Sequence, residues 1–366
     1  MSHNAHEQLP GPRFPGQQSG VPRAASKRWA ATALLTLALG QVAQAADGQL
    51  DPSFDGDGRV IFAVLGSVPD LDDFGLDVQQ DQLFGVAILP SGRIAVGGTT
   101  TESRFDGFDF VVGAFSGVNG SLDTGFGENG GGLTITDISG PQGGPTPPVP
   151  RSFCKGVASD GRSEDVANAL VPQNDQGESK IVLVGQSGPH ASPRFAAVRY
   201  RATGQPDTGF GVGGVVETRF PENLESNACD VAVQTDGKII LAGVVGSNVL
   251  GSPPRTGDIA LVRYNQDGSL DNGSAPDTNT GDRFGLDGTV RTTHFGADNF
   301  AFAQAVVVQP DGKIVAGGEV DPEPPDPRFG DFVLVRYNQD GSLDDGRLDD
   351  NGLNDGGLPD STPVTN

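Results

Sequence analysis

The sequence predicts an all-β chain: a β-propeller of about four four-stranded antiparallel blades, with an incomplete fifth repeat. Three observations predict it. A turn phrase, Gln309-Pro310-Asp311-Gly312-Lys313-Ile314 in its clearest copy, recurs along the chain. Short apolar runs bounded by Gly, Pro and Asp surround every copy, which is the signature of strands rather than helices. The 366 residues also include 55 Gly and 27 Pro, too many for long regular helices.

The repeating unit reads as strands a, b, c and d in order. Strand a follows a Phe-Gly phrase, as in Val290 to Thr293 and Val215 to Thr218. Strand b is the apolar run before the turn, Ala305 to Gln309 or Val231 to Gln234. The b–c link Pro310-Asp311-Gly312 is a tight turn, because Pro presets φ and Gly accepts the positive φ that reverses the chain. Strand c is Ile314 to Ala316, with copies at Ile239, Ile181 and Ile94. Strand d is Phe332 to Tyr337, with copies starting at Ile259, Phe195 and Phe110. Asn338-Gln339-Asp340-Gly341 then turns the chain into the next unit. In the second unit Asn174-Asp175-Gln176-Gly177-Glu178-Ser179 replaces the tight turn, so a longer b–c hairpin is expected there. Tandem four-stranded units suit a propeller, whose blades pack face to face and leave only short edges.

The phrases at Gln309 to Ile314, at Arg336 to Asp344 and at Phe284-Gly285-Leu286-Asp287-Gly288 resemble the delta-60 repeat β-propeller family. The resemblance runs over nearly all of the chain after its first 45 residues. It implies exported bacterial proteins with a propeller-type domain of no established activity.

Organisation follows from the repeats and from the first residues. Lys27 and Arg28, the apolar run Trp29 to Leu39, and Ala43-Gln44-Ala45 follow the order of a secretory signal. The run is too short to span a bilayer. Residues 1–45 are therefore expected to be an N-terminal extension and signal, with a translation start near Val21 also compatible. Residues 46–340 are expected to form the propeller, in repeats 48–119, 120–203, 204–267 and 268–340. Residues 341–366 form a truncated fifth repeat and an acidic tail. The expected product is exported: secreted, periplasmic or on the cell surface. With 24 Lys+Arg against 47 Asp+Glu the chain carries a formal charge of −23, which argues against nucleic acid as a partner.

Candidate chemistry is sparse. Asn265, Asp267, Gly268 and Asp271, like Asn338, Asp340, Gly341 and Asp344, alternate as calcium ligands do, but Arg263 and Arg336 occupy the first ligand position. The favoured reading is turn-forming residues, with no cofactor and calcium not favoured. Arg199, Arg263 and Arg336 recur beside Tyr200, Tyr264 and Tyr337. They are expected to pair, in bidentate fashion, with Asp207, Asp271 and Asp344; a channel-lining anion site is the rival. His190 and His294 belong to no metal-ligand spacing, and no nucleophile elbow or phosphate loop occurs. Asp70, Asp72 and Asp73 could supply carboxylates for glycoside chemistry, and Asp345, Asp349, Asp350 and Asp355 read as a solvated tail. Cys154 and Cys229 are a candidate disulfide in an exported chain, with two buried thiols as the alternative.

Functionally, the sequence points to an exported, non-catalytic binding or structural module with no assigned catalytic or metal residue. A secreted propeller enzyme acting on glycans, with carboxylates from the inserted loops, is the second reading. The b–c and d–a links are short and repeat almost verbatim, whereas the a–b and c–d links vary: Leu65 to Gln82, Ser139 to Arg162, Pro221 to Asn227, Ser247 to Gly257 and Glu319 to Gly330. A protein or glycan partner is therefore expected on the a–b/c–d face.

Overall fold

The computed structural model describes residues 49–62, 64, 81–100, 108–127, 130–140, 154, 165–189, 192–247, 249, 256–277, 281–293, 295, 300–321 and 330–344. The expectations for the signal region 1–45, Asp70, Asp72, Asp73, His190, His294 and residues 345–366 lie outside them. Fifteen strands and a single 3₁₀ turn, Pro221–Asn223, make up the regular structure among the described residues.

Strands β1 (Gln82–Ile88), β2 (Ile94–Thr100), β3 (Asp109–Phe115) and β4 (Leu133–Thr136) form the first blade, hydrogen-bonded in that order. The second blade is β5 (Val166–Asp175), β6 (Glu178–Ser187), β7 (Arg194–Arg201) and β8 (Val215–Thr218). The third is β9 (Glu225–Val233), β10 (Ile239–Ser247), β11 (Thr256–Tyr264) and β12 (Thr289–Thr292). The fourth holds three described strands, β13 (Phe300–Val308), β14 (Ile314–Asp321) and β15 (Asp331–Tyr337). All pairings within blades are antiparallel; one parallel bridge, Gly257 to Phe300, joins the third sheet to the fourth. The b strands β1, β5, β9 and β13 pack one on the next.

The sequence unit and the blade are out of step by one strand. Strand a pairs with strand d of the preceding unit, as β12 does with β11 and β8 with β7, so a blade reads b-c-d-a. The cause is local. After strand d, a turn at Gly268 (φ 84°) folds the chain back so that Asp271 donates its N–H to the Arg263 carbonyl, and the returning chain stays on that edge.

Strands b and c run further than the apolar pattern suggests. Each b strand carries a bulge in the same place, between Leu83 and Gly85, Ala167 and Ala169, Ala228 and Asp230, and Ala303 and Ala305. A glycine of strand c lies opposite each bulge: a Cβ on Gly243 would sit 2.0 Å from the Asn227 carbonyl oxygen, and one on Gly318 1.9 Å from that of Phe302. These glycines are interior strand positions where two backbones approach closely, not strand ends. The b–c hairpin of the second blade is longer through its strands, ten residues each, while its turn is still two residues, Gln176 and Gly177.

The core lies in the seams between blades. Phe110, Val112, Ile181, Leu183, Val198 and Tyr200 pack between the first and second blades. Phe195, Phe210, Leu241, Val262 and Tyr264 pack between the second and third, and Ile240, Leu261, Phe284, Ile314 and Tyr337 between the third and fourth.

Candidate functional site

The repeated charges are spent at the b–c/d–a end. In the second blade Arg199 Nε donates to Asp207 Oδ2 at 2.8 Å, and Lys180 Nζ approaches the same oxygen at 3.4 Å. In the third, Arg263 Nε and Lys238 Nζ both reach Asp271 Oδ2, at 2.5 and 2.8 Å. Arg336 and Lys313 converge on Asp344 in the same way. The expected bidentate pairing is replaced by a single prong, because the guanidinium has other work. Arg199 Nη1 donates to the Gln266 carbonyl of the next blade at 2.5 Å, and Arg263 does the same to that of Gln339. The planes also lie over Phe210 and Phe284, with 4.6 Å to each ring centroid. Burial works to raise the Asp207 carboxyl, and the Arg199 and Lys180 charges override it, holding it below the usual carboxylate range.

Turn residues meet their own donors. Asp267 Oδ1 accepts from Ser269 N and Oγ, and Asp340 Oδ1 from Ser342 N and Oγ, while Asp271 is already matched by two cations. These are Asx turns.

The opposite, a–b/c–d end is different. Carboxylate oxygens of Asp109, at the start of β3, of Asp137, just after β4, and of Asp165, just before β5, all lie within 4.8 Å of one another. Asp109 and Asp165 are buried and Asp137 is exposed. Asp165 Oδ2 accepts from the backbone N–H of Ile138 (2.5 Å) and Ser139 (3.0 Å), and Oδ1 from Ser139 Oγ (2.9 Å). Burial pushes the Asp165 carboxyl up, against those hydrogen bonds. In the second and third blades the charge at the start of strand d has an opposite charge on strand a: Arg194 with Glu217 at 3.3 Å, and Asp258 with Arg291 at 2.7 Å. In the first blade the apolar Ile135 stands at that strand-a position. Three close carboxylates can hold a hard cation, accept from sugar hydroxyls or meet a cationic side chain.

None of these three was singled out from the sequence. A sequence signal exists for the first of them alone, the recurrence of a charge where strand d begins, at Asp109, Arg194, Asp258 and Asp331.

The structure joins Cys154 to Cys229 in a disulfide, with Cα atoms 5.2 Å apart. Cys229 is the bulged residue of β9, so the bond ties the variable a–b link ahead of the second blade to strand b of the third.

A groove of about 510 Å³ lies against the first blade, lined by Phe54, Val60, Phe62, Leu83, Val96 and Phe115 among others.

Two stretches, residues 234–273 and 309–346, match a family profile described as "Domain of unknown function (DUF5122) beta-propeller". The chain is a β-propeller repeat protein. Both stretches run from the b–c turn through strand d into the next unit, the segment that carries the propeller's repeated charges. No curated protein sequence matches the chain. A solved structure titled "GH43 Endo-Arabinanase from Bacillus licheniformis" aligns over 72% of this chain and 98% of its own, at 11% identity and a TM-score of 0.23.

Proposed function

We propose that this propeller is an exported, non-catalytic binding or structural module whose partner, a protein or a glycan, docks on the a–b/c–d end. One observation carries the reading. Repeated Arg-Asp pairs hold blades together at one end, while three carboxylates gather at the other, at Asp109, Asp137 and Asp165. A rigid scaffold with variable links on one side is the usual way a fold presents a binding surface. Export rests on the Lys27-Arg28 and Trp29 to Leu39 pattern.

The acidic trio also favours the second reading, a secreted enzyme acting on glycans. A carboxyl pushed up by burial beside further carboxylates is what general-acid chemistry on a glycosidic bond uses. One experiment separates the two. The purified chain and its Asp109→Asn and Asp165→Asn variants are titrated with a panel of soluble polysaccharides and with a basic peptide, and reducing ends are assayed in parallel. Retention that weakens in the variants, with no reducing ends released, is the expected result. Release of reducing ends that is lost in either variant would replace the binding module with the enzyme.

A further inference from the structure

The two ends of the blade array each present one side of a blade seam. Residues 50–62 form no assigned strand, and they sit on the first blade where the outer strand of a preceding blade would lie. Asp55 N donates to the Asn119 carbonyl at 2.8 Å, as Gly127, Gly211 and Gly285 donate to the turns of the blades that follow them. Gly58 N donates to the Phe54 carbonyl, matching Gly288 to Phe284 and Gly214 to Phe210. Phe62 falls where Thr136, Thr218 and Thr292 meet Tyr200, Tyr264 and Tyr337, and its ring packs edge-on against Phe115, 5.9 Å between centroids. This segment has no b, c and d strands beside it among the described residues; the groove of about 510 Å³ lies in their place.

The fourth blade is the complement. It has strands b, c and d and no described strand a. Its free face exposes Phe332 (101%), Leu334 (79%) and Val307 (58%). The counterparts of Phe332 and Leu334 are fully buried in every other blade: Phe110 and Val112, Phe195 and Ala197, Ile259 and Leu261, all at 0%. Gln309 Oε1 is buried without a hydrogen-bond partner, where the same atoms of Gln173 and Gln234 accept from Arg199 Nη1 at 3.2 Å and Arg263 Nη1 at 3.4 Å, the two arginines whose guanidinium groups are held at a seam. Burying exposed side chains of this size in a repeat of a seam the chain already makes three times is favourable.

Among the described residues these halves do not meet: none of 49–62 pairs with β15, and Phe332 and Leu334 are exposed. We infer that a second copy of this chain closes the seam, its fourth blade entering the groove on the first blade and taking residues 59–62 as the missing outer strand. The register follows from β11 and β12, where Leu261 faces Val290 and Ile259 faces Thr292: Leu334 of one copy opposes Val60 of the other, and Phe332 opposes Phe62. Arg336 then reaches the turn after Phe115, as Arg199 and Arg263 reach theirs. The contact is head-to-tail. Two copies close a ring if the rotation permits, and otherwise the contact propagates as a filament.

The test uses the full chain carrying Val60→Cys together with Leu334→Cys, oxidised mildly and run without reductant, with sedimentation of the unsubstituted chain and of Leu334→Lys. Expected are a reducible two-chain band or ladder with linked peptides spanning positions 60 and 334. The unsubstituted chain should also form a concentration-dependent oligomer that Leu334→Lys reduces to single chains with unchanged circular dichroism. A link between positions 60 and 334 inside one chain, no link, or a monomer at every concentration would each overturn the inference.

Discussion

Gly243 shows how a single atom limits this fold. Its missing Cβ leaves room for the bulged β9 backbone, and the Asn227 carbonyl oxygen would lie 2.0 Å from that atom. Backbone cannot yield as a side-chain tip does, so Gly243→Ala should destabilise by about 1–3 kcal/mol or more in denaturant unfolding. Gly281→Ala, where nothing lies within 4 Å, should leave the midpoint nearly unchanged. Arg93 makes a second case. The first blade has Ala114 where the second and third have Arg199 and Arg263, and Arg93 takes over both of their contacts. Its Nη1 donates to Asp123 at 2.9 Å and its Nη2 to the Ala202 carbonyl of the next blade at 2.6 Å. The Arg93 hydrogen bond holds the Asp123 carboxyl below the usual range. That carboxylate's stability contribution is present above the ordinary Asp pKa and lost as pH falls through the depressed one. Arg93→Ala should return the Asp123 titration, followed by carboxyl-carbon NMR, to the ordinary Asp value. The associated stability loss at neutral pH should be no more than about 1 kcal/mol, since the pair is partly exposed.

At the scale of strands and seams, the tyrosines at the end of strand d set how blades meet. Tyr264 packs in the seam with the second blade, and its hydroxyl pairs with Thr218 Oγ1 at 2.5 Å. Tyr264→Phe keeps the ring packing and leaves a buried Thr218 hydroxyl without its partner, which should cost about 1–3 kcal/mol. Adding Thr218→Val should recover part of that loss, because an unmet buried hydroxyl costs more than an absent pair; a strictly additive double mutant would contradict the coupling. Much at this scale was legible in the sequence. The strand d phrases and the b–c turns stand where their apolar runs and Gly placed them, since both signals are local. Three things were not legible. The pairing of strand a with the preceding strand d depends on a chain reversal several residues long. Strand c continues through Gly317 and Gly318, which a reading of apolar runs takes for an end and which the bulge opposite explains. The acidic trio was hidden for a related reason: Asp109, Asp137 and Asp165 come from three separate segments and only the blade seam brings them together.

The whole molecule is held by seams that share one composition, and this gives it a collective response to alkaline pH. The sequence has three tyrosines, Tyr200, Tyr264 and Tyr337, and all three are buried in seams with their hydroxyls on a threonine of the preceding blade. Burial pushes each phenol well above its ordinary pKa of 10.0. The folded chain therefore keeps these protons where the unfolded chain releases them. Stability is fully present below about pH 10 and falls as pH rises above it, by up to roughly 1.4 kcal/mol per phenol per pH unit. For three phenols the slope approaches about 4 kcal/mol per unit, comparable within two or three units to the whole stability of an ordinary domain. Phenolate absorbance near 295 nm should consequently stay flat above pH 10 and then appear in one step, together with loss of the β-sheet circular dichroism signal. Tyr264→Phe should shallow the slope by about a third. Phenolate that develops gradually around pH 10 in a chain still folded would show that the seams open independently of one another, and the blades would then have to be treated as separate units.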